Sequence, residues 1–130
     1  MNPRYALPVA SLLTLLLLVS HLAGDIIHGY ERGATGAFVG VVTAPVVWLC
    51  GTLLWGDRRS GHVIMLLGGL LAMYVAYLHM SGAGVGVSPK VAGDFSFVLI
   101  LLALAVTGAF SVVLSVRGLW SLRRATGAQP

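Results

Sequence analysis

Three ionisable side chains close a long apolar run: His21, Asp25 and His28, in Ser-His-Leu-Ala-Gly-Asp-Ile-Ile-His over residues 20–28. Their spacing is i, i+4, i+7, so on a helix that continues through Gly24 they stack on one face over about two turns. Imidazole and carboxylate groups arranged in this way can share a proton, or they can ligate Zn²⁺, Cu²⁺ or non-haem iron. Ionisable groups at a membrane boundary are costly, which makes them a functional hypothesis that needs a named partner. The partner expected is His79, at the close of another apolar run. The metal-ligand candidates are therefore His21, Asp25, His28 and His79, and the polar cluster expected to meet is His21, Asp25, His79 and Asp94. A b-haem between His21 and His79 is a variant of this reading, in a bundle with little room for it. Against both stands a structural use, in which His21, Asp25 and His79 form a hydrogen-bonded knot that fixes helix register and His28 is solvated.

Hydrophobic residues make up 58% of the 130-residue chain and charged residues only 9%, against about 25% charged in soluble domains. With a mean hydropathy of +0.94 the chain reads as an integral membrane protein in contact with the lipid bilayer. The formal charge is +4, but the basic residues lie in short connections between apolar runs, so no nucleic acid partner is expected. The single cysteine, Cys50, excludes an intrachain disulfide and reads as small apolar filler.

The elements that must position the cluster are four helices, at about 8–28, 36–55, 62–80 and 94–116, followed by a basic tail over 117–130. The end of the first helix lacks a small-x-small cleavage pattern, so an uncleaved span is expected. Pro45 predicts a kink in the second. The connection Gly-Asp-Arg-Arg-Ser-Gly over 56–61 is long enough only to reverse the chain. Gly82, Gly84 and Gly86 in the longer connection lack the GxGxxG spacing, so no phosphate loop is read there. Small residues recur at helical spacing: Gly36 and Gly40, with Thr43 and Val47, in the second helix; Gly68, Ala72 and Ala76 in the third; Thr107 and Ser111 in the fourth. Such stripes let helices approach closely in a membrane, and His79 extends the third of them, so it should point into the bundle. The tail is basic and amphipathic enough to lie at the lipid headgroups.

Orientation follows from the Lys and Arg count. Arg4, Arg58, Arg59, Arg117, Arg123 and Arg124 fall on one side and only Arg32 and Lys90 on the other, which places both termini in the cytoplasm. The expected fold is thus all-α, a single-domain, multi-pass, integral membrane antiparallel four-helix bundle in the inner (plasma) membrane. Its histidine cluster lies near the outer face, with Trp48, Trp55 and Trp120 toward the cytoplasmic side and His62 alone at the inner end.

Three stretches carry a resemblance: His-Leu-Ala-Gly-Asp-Ile-Ile-His-Gly closing the first helix, Asp-Arg-Arg-Ser-Gly in the tight turn, and Arg-Gly-Leu-Trp-Ser-Leu-Arg-Arg near the end. Together the pattern resembles small four-helix bacterial integral membrane proteins of no assigned activity. The resemblance spans most of the chain and implies the fold and a bacterial inner membrane, while giving no residue a role. No HExxH, Walker loop, nucleophile and base pair or broken inverted repeat marks an enzyme or transporter. The function expected first is therefore an accessory or structural membrane subunit, in a homo-oligomer or a larger membrane complex. The alternative is a protein that binds a transition metal or b-haem through the outer His/Asp cluster.

Overall fold

The computed structural model describes residues 3–27, 35–81 and 95–127, apart from the side chains at 3, 4, 35–40, 125 and 126. These residues form four helices and, among them, no strand: α1 Pro3–Ile27, α2 Thr35–Leu54, α3 Arg59–Met80 and α4 Phe95–Gly127. Tyr5–Ile27, Arg59–Met80 and Phe95–Arg124 are each long and apolar enough to cross a membrane, whereas the apolar stretch of α2, Val41–Leu54, is shorter. The outward side chains, among them Leu13, Leu16, Leu67, Leu99 and Phe110, are large, apolar and exposed, as contact with a bilayer requires.

Two helix limits differ from the sequence expectation. The first helix already includes Pro3, five residues before the expected start near Pro8. The fourth does not end at 116: the basic segment expected as a separate tail continues the same helix to Gly127. Gly118 costs about 1 kcal/mol of helix propensity, too little to stop a helix whose next residues are Leu, Trp, Ser, Leu and Arg. Its missing side chain also has a use, since a Cβ at Gly118 would occupy the space of the His62 ring. His62 is therefore packed between helices, and its Nδ1 bonds the Arg58 carbonyl at 3.0 Å. With 33 residues α4 is about 50 Å long, which exceeds a hydrocarbon layer about 30 Å thick. Toward its end Trp120 is exposed and the Arg124 guanidinium lies over its ring at 5.5 Å.

The inward faces repeat in steps of three and four. α1 buries Leu7, Ser11, Thr14, Leu18, His21 and Asp25; α3 buries Gly61, Met65, Gly68, Ala72 and Ala76; α4 buries Leu101, Leu104, Gly108, Ser111 and Ser115. This is the spacing of a coiled-coil seam, in which alternate steps keep one narrow stripe facing the neighbouring helix. The pair α3 and α4 shares the largest interface, α1 packs against the other three helices, and α2 touches α1 and α3 but not α4 among the described residues. At the centre of the α3–α4 seam a Cβ on Gly69 would lie 2.9 Å from the Gly108 carbonyl oxygen, and a Cβ on Gly108 would lie 2.9 Å from that of Gly69. Only glycine at both positions permits that approach.

Of the small-residue stripes, Gly68, Ala72, Ala76 and Ser111 are buried, Thr107 is half-buried and bonds its own helix at Ala103, and Thr43 and Val47 are exposed. Gly36 and Gly40 lie outside the residues whose side-chain surroundings are described. Trp48, expected toward the cytoplasmic side, is only 2% exposed and packs inside the protein. Its indole lies where a Gly68 side chain would be, and a Cβ on Gly51 would likewise meet Ile64. The Trp48 Nε1–H donates to Ser11 Oγ at 2.7 Å, and the Thr52 hydroxyl donates to the Trp48 carbonyl at 3.0 Å. That uses the only Thr52 hydroxyl proton, so in the 2.9 Å contact between Ser11 and Thr52 it is Ser11 that donates. The four polar groups thus satisfy one another in a closed circuit that joins α1 to α2.

Replacing Gly68 by Ala should drive a methyl into the Trp48 ring and lower stability in detergent by about 1–3 kcal/mol. Ser11→Ala, which leaves the indole N–H without an acceptor, should cost about 1 kcal/mol. Thermal or SDS unfolding of the purified variants measures both, and a neutral Gly68→Ala would show that Trp48 does not fill that pocket.

Candidate metal centre

The seams of three helices bring the ionisable side chains together at one end of the molecule. On α1 the seam ends in His21 and Asp25, on α3 it ends in His79, and on α4 it opens with Phe97, each within about two turns of its helix terminus. His21 Nε2 lies 3.4 Å from Asp25 Oδ2, and His79 Nε2 lies 3.8 Å from the same oxygen. The side chains are 1%, 10% and 10% exposed for His21, Asp25 and His79, so the cluster is effectively dry. His28 and Asp94, the other expected members, lie outside the described residues.

The proton inventory of this cluster is informative. His79 Nδ1 sits 2.9 Å from the Val75 carbonyl oxygen, which can only accept, so Nδ1 carries a proton. In the neutral ring Nε2 is then a bare lone pair, and it faces a carboxylate oxygen. Neither His79 Nε2 nor His21 Nε2 has a hydrogen-bond partner among the described residues, although both are buried. Two acceptors facing each other in an apolar setting repel unless a proton or a cation lies between them.

The separations bear on both. A shared proton calls for heavy atoms about 2.7–3.2 Å apart, and both separations are longer. Donor atoms held by one tetrahedral ion at about 2.0–2.1 Å lie roughly 3.4 Å from each other. The two separations from Asp25 Oδ2, 3.4 and 3.8 Å, are near that spacing, while the three ligand atoms together span up to 4.8 Å, so a single ion would draw the two imidazole nitrogens closer together. The Val75 carbonyl acts as the outer partner that fixes ring orientation and tautomer in metal-bound histidines.

The haem variant does not fit this geometry. The His21 and His79 rings touch edge to face, with centroids 4.6 Å apart and planes at 88°, which leaves no slot for a porphyrin between them. Phe97 lies against both rings, at 5.3 Å from His21 and 5.8 Å from His79. It closes the third side of the cluster with hydrocarbon. Sequence reasoning missed this residue, and also the buried circuit of Ser11, Trp48 and Thr52. The signal for Ser11 was present in the three-and-four spacing of Ser11, Thr14, His21 and Asp25 along α1; Phe97 had no sequence signal that set it apart from its apolar neighbours.

No family model, curated protein or solved structure matches the chain, so what the cluster does has to be argued from its side chains.

Long-range ¹H–¹⁵N correlation spectra of the metal-free protein should show neutral His79 as the Nδ1–H tautomer. An Nε2–H tautomer would aim a donor at Asp25 and remove the conflict between acceptors that calls for a cation.

Proposed function

We propose that this is a small multi-pass membrane protein that binds a transition-metal ion through His21, Asp25 and His79. The observation that carries the reading is the convergence on one carboxylate oxygen of two buried imidazole nitrogens that make no hydrogen bond among the described residues. The donor set is two nitrogens and one oxygen with no sulfur, which suits Zn²⁺, Fe²⁺ or Cu²⁺ and disfavours Cu⁺. Detergent-purified protein should contain about one equivalent of metal, and His21→Ala and His79→Ala should each weaken binding by about 100-fold or more, beyond the loss typical of an outer partner. If no metal is held and His79→Ala lowers only stability, the cluster is the structural knot instead.

The membrane arrangement we propose is an antiparallel bundle in a bacterial inner membrane with both termini cytoplasmic. Support comes from contacts whose numbering rises on one helix as it falls on the next: Trp48 with Gly68 and Gly51 with Ile64, then Met65 with Ser111 and His62 with Gly118. The Arg-rich ends supply the orientation. A second reading, an accessory subunit or homo-oligomer, is favoured by one observation: Thr43, Ala44 and Val47 on α2 are small or β-branched and exposed. Topology and assembly are tested together in cells. A reporter after Pro130 should be active only in the cytoplasm, and Ala44→Cys in a Cys50→Ser background should crosslink between chains. A periplasmic reporter signal overturns the orientation, and an uncrosslinked chain overturns the assembly.

A further inference from the structure

We infer that the metal held by His21, Asp25 and His79 keeps an exchangeable coordination position that takes one small anion. This rests on the metal reading proposed above and extends it to the ligand class. Three protein ligands fall short of the four that close a structural zinc site, and a site with three keeps a place for water or substrate. Among the described residues no fourth His, Cys, Asp or Glu joins the group: Phe97 covers its third side, and Cys50 lies near the C-terminal end of α2, outside the group of potential ligands.

Charge decides what fills the place. Two neutral imidazoles and one carboxylate leave a divalent ion with a net charge of +1. Among the described residues the only other acid is Asp57, in the turn at the far end of α3. One turn from the cluster the walls are Leu18, Leu22 and Val75, which belong to the apolar core. An uncompensated charge beside such walls is strongly disfavoured, and a monoanionic ligand removes it. Water cannot do so without losing a proton. A bound hydroxide, azide or a substrate with one negative donor atom can.

Among the described residues nothing lies within 4 Å of where a Gly24 side chain would project, and the cluster stands within two turns of Ile27 on α1 and Met80 on α3.

The test uses the full-length protein in detergent, stripped of metal and loaded with cobalt(II), whose ligand-field bands report its coordination. Sodium azide should shift those bands saturably, with one azide per cobalt. One equivalent of cobalt whose bands ignore saturating azide overturns the exchangeable position while leaving the metal reading intact. A band shift that appears only in His28→Ala or Asp94→Asn also overturns it, because the chain itself would then fill the position. Failure to bind cobalt at all overturns both the position and the metal reading. Phe97→Ala should keep the cobalt stoichiometry and weaken azide on the order of tenfold, since admitted water screens the charge that holds the anion.

Discussion

The glycine pair Gly69 and Gly108 sets the distance between α3 and α4, and most of the molecule depends on that distance. Each glycine stands where the other's carbonyl allows no side chain, so the two backbones approach as closely as helices in a membrane do at small-residue crossings. The approach has consequences along both helices. Toward one end it brings Ser111 to the Met65 carbonyl and the His62 ring onto Gly118; toward the other it brings Phe97 against His79. A larger residue at either glycine would separate the seams and with them the two walls of the cluster.

α1 lies against this pair with a face that is half polar. Ser11, Thr14, His21 and Asp25 are all buried, in a chain whose surroundings reward apolar surface. The upper and lower polar groups are handled differently. Ser11 enters a closed circuit with Trp48 and Thr52, and Thr14 returns its hydroxyl to the Ala10 carbonyl, so these groups are satisfied within the protein. At the other end the two Nε2 atoms have no such partner. Leu18 and Leu104 stand in the core with almost no exposure. The contrast within one helix face is what separates a register-fixing network from a candidate ligand set, and it is the basis for proposing a metal there.

Much of the fold was legible because membrane physics limits the choices. Apolar runs of about 20 residues must be helices, since lipid offers no partner for backbone groups. Gly68, Ala72 and Ala76 could be read as a packing stripe from spacing alone, and His79 as its continuation. The limits of α1 and α4 were less legible. Pro3, Pro8 and Gly118 are ambiguous marks whose meaning depends on what packs beside them, and the space at Gly118 is taken by a ring from a residue more than fifty positions earlier. The burial of Trp48 was not legible for a related reason: tryptophan is favoured at membrane interfaces and in cores alike, and only the absence of a side chain at Gly68 decides which.

The sequence by itself determined that the chain is helical and membrane-bound, and that His21 and Asp25 share a face, because helical period and hydropathy are local properties. The sequence pointed His79 into the bundle as their expected partner, but its contact with that face, and Phe97 covering it, were decided by tertiary structure. It also set His79 Nδ1 against the Val75 carbonyl and Nε2 toward Asp25. Contacts between helices depend on crossing distance and axial offset, which arise from pairs such as Gly69 with Gly108 that no single-helix pattern contains. The difference between a polar knot and a ligand set is smaller still: a few tenths of an ångström and the location of one proton on an imidazole ring.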